Sequence, residues 1–309
     1  MILSENLFNQ LQPLIHMKSI AFDENLSKHT YPKIGGKADF FITPNNYFEL
    51  QKIIQFFRDE KLPITIIGNG SNLIIRDGGI RGAVISLNKI NHIFIDQENL
   101  ICGGGASLIK ASRKATTHHL KGLEFACGIP GTIGGAVYMN AGAYGGEIKD
   151  VLESVLVLDR YNQLQVRKSA ELNLSYRHSN IGENEDIILE AVFKLKHGKY
   201  EEIKALVEKL TRLRKKNQPL EYPSCGSVFK RPVGYYAGKL IQDSNLQGVR
   251  IGGAEVSKKH AGFIVNVDHA TASDYISLIE LIQKTVKEKF NVELETEVKI
   301  IGEDSDTNE

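Results

Sequence analysis

Ser224-Cys225-Gly226-Ser227-Val228-Phe229-Lys230-Arg231-Pro232 places a hydroxyl, a thiol and two adjacent cations in a stretch broken by Gly and Pro. Cys225 reads either as a nucleophile, because nearby cations lower a thiol pKa, or as a buried inert thiol. Ser227 reads as a general acid or as a nucleophile. A nucleophile would need a base close by, and the G-x-S-x-G elbow is absent because Val228 and Phe229 follow Ser227. Lys230 and Arg231 suit a clamp for a phosphorylated or carboxylated substrate, and equally a solvated surface pair.

Glycine marks two further stretches. Gly128 to Gly146 holds seven of the 28 glycines in nineteen residues, separated by Ile, Val, Tyr, Met and Asn. Glycine loses much conformational freedom on folding, so such clustering suits a backbone that turns sharply and brings N–H groups to a ligand, most often a phosphate. Mere structural turns are the other reading. The segment fits neither G-x-G-x-x-G nor the G-x-x-x-x-G-K-[ST] loop. Gly68-Asn69-Gly70-Ser71-Asn72 ends a predicted strand, and a second strand rather than a helix follows, which rejects the dinucleotide fingerprint on context. Two such loops without a Lys suit a diphosphate held from two sides by amide dipoles.

Other stretches leave their readings open. The loop Tyr176-Arg177-His178-Ser179 offers a guanidinium that such loops usually spend on a surface ion pair. Alternation from Val292 to Ile300 predicts a strand with Val292, Leu294, Thr296, Val298 and Ile300 on one face. Glu293, Glu295, Glu297 and Lys299 line the other face, and alternation alone does not single out one carboxylate. His118 and His119 are adjacent and point apart on a helix, and no His, Cys or carboxylate spacing suggests a metal.

Periodicity and caps supply the elements that carry these residues. Leu7, Leu11 and Leu14 predict a short N-terminal helix, with Pro13 opposing its second turn. Asn46 with Glu49 three residues on is a capping-box start, and Phe48, Ile53, Ile54 and Phe57 form a helical stripe. Strands are expected at 64–67, 73–76, 83–87, 93–95, 100–102, 151–158, 163–166 and 187–195, with a helix from Ser107 to about His118. Glu201 to Lys216 reads as an amphipathic helix on Ile203, Leu206, Val207, Leu210 and Leu213, with a basic end that complements its dipole. A last helix runs on Tyr275, Leu278, Ile279, Ile282, Val286 and Phe290. The tail from Glu303 to Glu309 is polar and expected to be disordered. The pattern is α+β.

Bulk properties exclude several classes. At 309 residues the chain can hold two or three domains with real cores. Its 42% apolar and 24% charged content is ordinary for a globular protein, and a net charge of +1 argues against a general nucleic-acid binder. No apolar run approaches the ~18 residues of a membrane span, and the first residues do not read as a secretion signal. Three widely spaced cysteines without C-x-x-C suit a reducing, cytoplasmic setting rather than a disulfide framework or structural zinc.

In order from about Ser27 to Gly302, His29-Thr30 through Ile34-Gly35-Gly36-Lys37-Ala38-Asp39, the two glycine stretches, Tyr176-Arg177 and Gly226 to Lys230 carry a resemblance. So do Gly238 to Asp243, Lys259 to Asn266 and Leu294 to Gly302. Together they resemble the UDP-N-acetylenolpyruvoylglucosamine reductase family, and its shorter subtype, which lacks an inserted loop with a substrate-covering Tyr.

The resemblance implies a vanillyl-alcohol-oxidase-type FAD-binding fold. Residues 1–90 and 91–205 would form two subdomains clasping the flavin, and 206–302 an α+β substrate-binding domain. It implies an NADPH-dependent flavoenzyme that reduces the enolpyruvyl group of a UDP-sugar in peptidoglycan precursor synthesis; the sequence itself gives no oligomeric state, and a monomer is the favoured expectation. Gly68, Asn69, Gly70, Ser71, Asn72, Gly128, Gly131, Thr132, Gly134 and Gly135 would hold FAD. The flavin would be noncovalent, since positions 67–72 lack the His that many oxidases of this fold use.

By the same resemblance Tyr138, Asn140, Lys230, Arg231, Lys239 and Asn266 would contact substrate, Tyr138 taking over part of the missing loop's role. Arg231 stands where some members carry Asn. Arg177 and Glu297 would stabilise the negative charge that hydride addition creates, and Ser227 would supply the proton. The other readings are a flavin-dependent alcohol or sugar-lactone oxidoreductase of the same fold, and a non-enzymatic nucleotide-binding regulator.

Overall fold

Asn46 starts the first long helix, Tyr47–Asp59, of the computed structural model, which describes residues 10–11, 13–16 and 19–305. Its side chain accepts the Glu49 N–H at 2.9 Å, while Glu49 Oε2 reaches back one residue further than in a capping box, to the Asn45 N–H at 2.7 Å. Leu50, Ile53, Ile54 and Phe57 are buried. Phe48, expected on that stripe, is instead 66% exposed beneath Lys52 Nζ. Positions 50, 53, 54 and 57 share a face at the helical period, and 48 points away from it. Leu7 and the start of the expected N-terminal helix lie outside the described residues; Leu11 is buried.

The chain divides into two units that interleave along the sequence. The first comprises Met1–Phe22, Phe40–Asn69 and Gly82–Leu213; the second comprises Asp23–Asp39, Gly70–Arg81 and Arg214–Glu309. Residues 23–39 and 70–81 thus fold with the C-terminal block, although linear boundaries at 90/91 and 205/206 assign them to the first subdomain.

Two cores form within the first unit. One gathers Phe40, Ile42, Leu50, Phe57, Ala83, Ile85 and Leu87. Beside it Ile64–Ile67 runs parallel to Ala83–Ser86, in a sheet ordered Ile20–Asn25, Lys37–Ile42, Ile80–Ser86, Ile64–Ile67. The other core lies on an antiparallel five-stranded sheet ordered Leu164–Lys168, Leu152–Leu158, Ile187–Lys194, Asn99–Gly103, Ile93–Asp96. The helices Leu108–Thr117 and Ile133–Tyr138 send Leu108, Ala111, Ile133 and Val137 into it. On the helix Tyr200–Asn217 the expected stripe is only partly covered: Ile203 and Leu210 are buried, while Leu206 is exposed.

Asp186 precedes the strand Ile187–Lys194 with a side chain only 1% exposed. Its Oδ2 accepts from Arg167 Nε at 3.4 Å, and its Oδ1 has no partner among the described residues. Burial raises its pKa, opposed by the Arg167 hydrogen bond and charge. The folded chain therefore holds this proton more tightly than the unfolded chain does. That contribution to stability is complete below the unfolded carboxylate pKa of about 3.9 and is lost as pH rises through the folded value. Asp186→Asn is expected to gain stability relative to wild type as pH rises from about 3 to about 7. Denaturant melts across that interval read the difference, and a constant offset between the two proteins would sink the assignment.

The second unit is built on an antiparallel sheet ordered Ser224–Ser227, Phe263–Asn266, Ala254–Val256, Arg250–Ile251. Its helix Ala272–Phe290 buries Tyr275, Leu278, Ile279, Ile282 and Val286 against Leu240, Ile241 and Ile264. Thr271 caps this helix through the Asp274 N–H, and Asp77, nearly two hundred residues earlier, accepts the two preceding amides. Asp77 Oδ1 takes Ala272 N–H at 2.8 Å, and Oδ2 takes Ser273 N–H at 2.9 Å and Ser273 Oγ at 2.6 Å. Asp77→Ala leaves these donors to water and is expected to cost about 2 kcal/mol in denaturant unfolding. A cost below about 0.5 kcal/mol would show that the bonds are not used.

The alternating segment before the C-terminus is not one strand. Regular pairing covers only Lys299–Ile301, which runs parallel to Leu73–Ile75. Upstream, Lys230 N–H donates to Glu295 O, and Glu297 N–H to Val228 O at 2.7 Å, with one bridge between Phe229 and Thr296. The chain bends at residues 297 and 298 and changes partners there. Alternation survives in burial, with Leu294 and Val298 inside, but not in one hydrogen-bond ladder. The tail also begins later than its polarity suggests. Gly78 N–H donates to Glu303 O, and Asp304 pairs with Arg76. Residues 306–309 lie outside the described residues.

Candidate functional site

The loop Gly68–Asn72 leaves the strand Ile64–Ile67 and is shared between the units, Gly68 and Asn69 with the first and the rest with the second. In the first unit a Cβ on Gly68 would lie 2.3 Å from Thr132 Oγ1, so only glycine lets the two glycine-rich stretches meet there. In the second unit Gly70 is buried at φ +60, where a Cβ would sit 2.6 Å from His29 O. Gly70 O accepts from Tyr31 N–H and Asn72 O from Lys299 N–H. The amides of Gly70, Ser71 and Asn72 have no protein acceptor among the described residues. A loop that spends its carbonyls and keeps consecutive N–H groups is the chemistry of an anion cradle. Asn72 does more: its Nδ2 donates to Glu297 O at 3.1 Å.

The second glycine stretch works differently from the expectation of bare amides. Gly131 N–H donates to Ile129 O, Ile133 N–H to Ala106 O, Gly134 N–H to Gly104 O, and Gly135 N–H to Thr132 Oγ1. These groups are already bonded inside the unit. What Gly134 provides is close approach, since a Cβ there would lie 3.2 Å from Gly104 O. Gly128, Gly131 and Gly134 are half-buried and Gly135 is exposed, so the stretch offers a smooth wall rather than a second row of donors.

Downstream, the same stretch seats the Arg177 turn. Ser175 and His178 bridge to close the turn, with Arg177 at φ +56, a conformation that costs a non-glycine residue about 1 kcal/mol. Arg177 Nη2 donates to Gly142 O at 3.1 Å, and Ser179 Oγ to Tyr138 O at 2.7 Å. Asn140, expected to touch substrate, is fully buried and wholly engaged within the protein. Its Nδ2 donates to Glu147 Oε2 at 2.9 Å and Ser175 O at 2.8 Å, and its Oδ1 accepts from Lys149 N–H at 2.9 Å. Burial works to raise the Glu147 pKa, but hydrogen bonds from Lys149 and Asn140 and the charges of Lys149 and Arg177 together hold it below the usual range. The side chain of Tyr138 is partly exposed, leaning on Gly182.

In the second unit, Ser227 is half-buried at the end of the strand Ser224–Ser227, opposite Phe263. Gly226 before it sits at φ +79, in an irregular stretch of the pairing between Ser224 and Ser227. Cys225 points into the core, and burial pushes its thiol up to about 12, which decides for the inert thiol over the nucleophile. Glu297 is fixed through its backbone to both Val228 and Asn72, which places its segment alongside the one that carries Ser227. Lys230 pairs with Glu295, and the Arg231 guanidinium lies 4.0 Å from the Tyr236 ring centroid.

Two further expected substrate contacts have partners within the protein. Lys239 is exposed and pairs with Asp243 at 2.6 Å, one turn along its helix. Asn266 is buried, donating to Pro32 O at 2.9 Å and accepting Ala270 N–H at 2.9 Å. Ser227 and Glu297 thus belong to one unit and Arg177 to the other. Asp77, Ser175 and Ser179 carry structural work that no local pattern announced; Asp77 alone stands beside a glycine turn, Gly78-Gly79. Among the described residues no three His, Cys, Asp or Glu side chains gather as a metal site would need, and no helix is long and apolar enough to cross a membrane.

Comparison with known proteins adds three kinds of likeness. Residues 38–164 match the model of an FAD binding domain, and residues 218–301 that of the UDP-N-acetylenolpyruvoylglucosamine reductase C-terminal domain. The chain is 56% identical over 304 residues to the UDP-N-acetylenolpyruvoylglucosamine reductase of Oceanobacillus iheyensis, covering 98% of this chain and 99% of that one. It is 55% identical over 302 residues to the Staphylococcus aureus reductase, covering 98% of each. In structure it is similar to the UDP-N-acetylenolpyruvylglucosamine reductase of Thermus caldophilus, with TM-score 0.78, 34% identity and coverage of 91% and 97%. A wild-type Phl p 4.0202, a glucose dehydrogenase, matches 63% of this chain and 44% of its own at TM-score 0.51 and 16% identity. That last likeness concerns the fold alone: α+β, with an FAD-binding domain of the vanillyl-alcohol-oxidase type.

Proposed function

The chain belongs to the UDP-N-acetylenolpyruvoylglucosamine reductase family, and from that premise we propose how its residues carry the reaction. Its activity is NADPH-dependent, FAD-mediated reduction of UDP-N-acetylenolpyruvoylglucosamine to UDP-N-acetylmuramate, a step of peptidoglycan precursor synthesis. The observation that carries this reading is identity above one half over nearly the whole of both chains.

Bound FAD supplies a two-electron store that NADPH fills and the substrate empties. The free amides of Gly70, Ser71 and Asn72 suit its diphosphate, and the smooth wall from Gly128 to Gly135 suits close approach of a flat cofactor. The loop has no His, which supports noncovalent attachment. The two cores of the first unit suit the flavin-clasping subdomains, and the C-terminal block of the second unit, from Arg214, suits the substrate-binding domain. Its three free thiols suit a reducing cytoplasm.

The remaining roles belong to side chains. Arriving at the terminal carbon of the enolpyruvyl group, hydride makes it a methyl and leaves an electron pair on the carbon beside the carboxylate. The Arg177 guanidinium neutralises that charge, and Glu297 assists in its protonated form or by sharing a proton. Ser227 Oγ passes its proton to that carbon, completing a lactyl ether, and is reprotonated from water. A neutral hydroxyl is a weak acid, so this transfer requires the strongly basic carbon that hydride addition creates. Lys230 and Arg231 hold the diphosphate of the substrate, and Tyr138 covers the sugar.

Anaerobic stopped-flow absorbance tests the assignment. NADPH should bleach the flavin band, and the enolpyruvyl sugar nucleotide should restore it. A flavin bleached by an alcohol or sugar lactone, and indifferent to the enolpyruvyl substrate, would move the chain to the oxidase reading.

A further inference from the structure

We propose that Asn140 is a positioning residue for Arg177, holding the turn that presents the guanidinium. This inference rests on the role given to Arg177 above. Three hydrogen bonds connect residues 138–142 to the turn 175–179: Asn140 Nδ2 to Ser175 O, Arg177 Nη2 to Gly142 O, and Ser179 Oγ to Tyr138 O. They lie before, at and after Arg177, so the turn is gripped along its whole length.

Asn140 is the only one of the three donors that is fully buried, and it is anchored twice more, by Glu147 Oε2 and by Lys149 N–H. Its amide must donate on one side and accept on the other. Asp cannot do this, and Ala or Gly can do neither. Its backbone is held at φ +40, a region Asn tolerates and most side chains avoid. Arg177, at φ +56, is also left-handed, so the turn is a conformation the surrounding contacts must impose. Remove the brace, and the turn is free to relax while the chain around it stays folded. The guanidinium then leaves the place where charge develops, and a displacement of about 1 Å costs about 10²-fold in rate.

The test is a double-mutant cycle on the rate of flavin reoxidation by the enolpyruvyl substrate. Asn140→Gly removes the amide without adding a strained Cβ. It should slow reoxidation by about 10- to 100-fold and leave flavin reduction by NADPH within about twofold. In an Arg177→Lys background, the same change should slow reoxidation by less than about threefold, because the group being positioned is already lost. Equal losses in both backgrounds, or equal losses in both half-reactions, would overturn the proposal. If Arg177→Lys alone reoxidises at the wild-type rate, the fault lies in the role of Arg177 and not in the brace. Should Asn140→Gly fail to fold, Ser179→Ala goes through the same cycle, with coupling expected and additivity overturning the inference.

Discussion

Exchange of Ser227 for Ala is expected to leave reduction of bound flavin by NADPH within about twofold while reoxidation by the enolpyruvyl substrate slows by about 10²- to 10⁴-fold. The asymmetry follows from the chemistry of the two halves. Loading the flavin needs no proton at carbon, whereas discharging it leaves a carbon base that must be protonated. Ala removes one oxygen from a half-buried strand end whose neighbours, Cys225 and Val228, stay in the core, so the fold has little reason to move. Anaerobic single-turnover kinetics with each partner measure the two rates separately. Equal losses in both would take Ser227 out of the proton transfer.

Glu297→Gln should retain the flavin and lose about 10²-fold or more in reoxidation. The position is held by main-chain bonds, Glu297 N–H to Val228 O and Asn72 Nδ2 to Glu297 O, and neither depends on the carboxyl. Gln therefore keeps its place and its shape but can neither hold nor share a titrating proton. A flattened pH dependence of the reoxidation rate should accompany the loss. Wild-type reoxidation in this variant would return Glu297 to the solvent-facing stripe of carboxylates from which alternation could not separate it.

Local patterns in the sequence were reliable where the partner is also local. Asn46 caps its helix through Glu49, and Tyr275 to Val286 lie on the buried face that helical spacing gives them. Patterns misled where a distant segment decides. Alternation from Val292 to Ile300 described burial correctly, yet the segment changes hydrogen-bond partners midway, because its neighbours come from residues 228–230 and then 72–75. Leu206 kept its helical phase and stays exposed among the described residues. Glu303 was polar but not loose, because Gly78 reaches it.

In the site, residue types suggested the chemistry but not each side chain's task. Asn140 and Asn266 have the polarity of ligand contacts and are buried braces. Cys225 has reactive chemistry and sits in the core. Nothing in the glycine count distinguished a loop with three consecutive spare amides from one whose amides are mostly spent.

The bond from Asn72 to Glu297 spans 225 positions, and the parallel pairing of Leu73–Ile75 with Lys299–Ile301 spans one more. A ribosome adding about 5–20 residues per second needs about 10–45 s to cover that distance. Throughout it, the nascent chain carries a strand edge and a polar loop whose partner does not yet exist. The second unit therefore cannot finish until the segment that carries Glu297 has been made, long after the loop that pairs with it. Clipping the chain just before Lys299 should leave a long-lived, sticky precursor in vivo, one that holdase chaperones retain and proteases find.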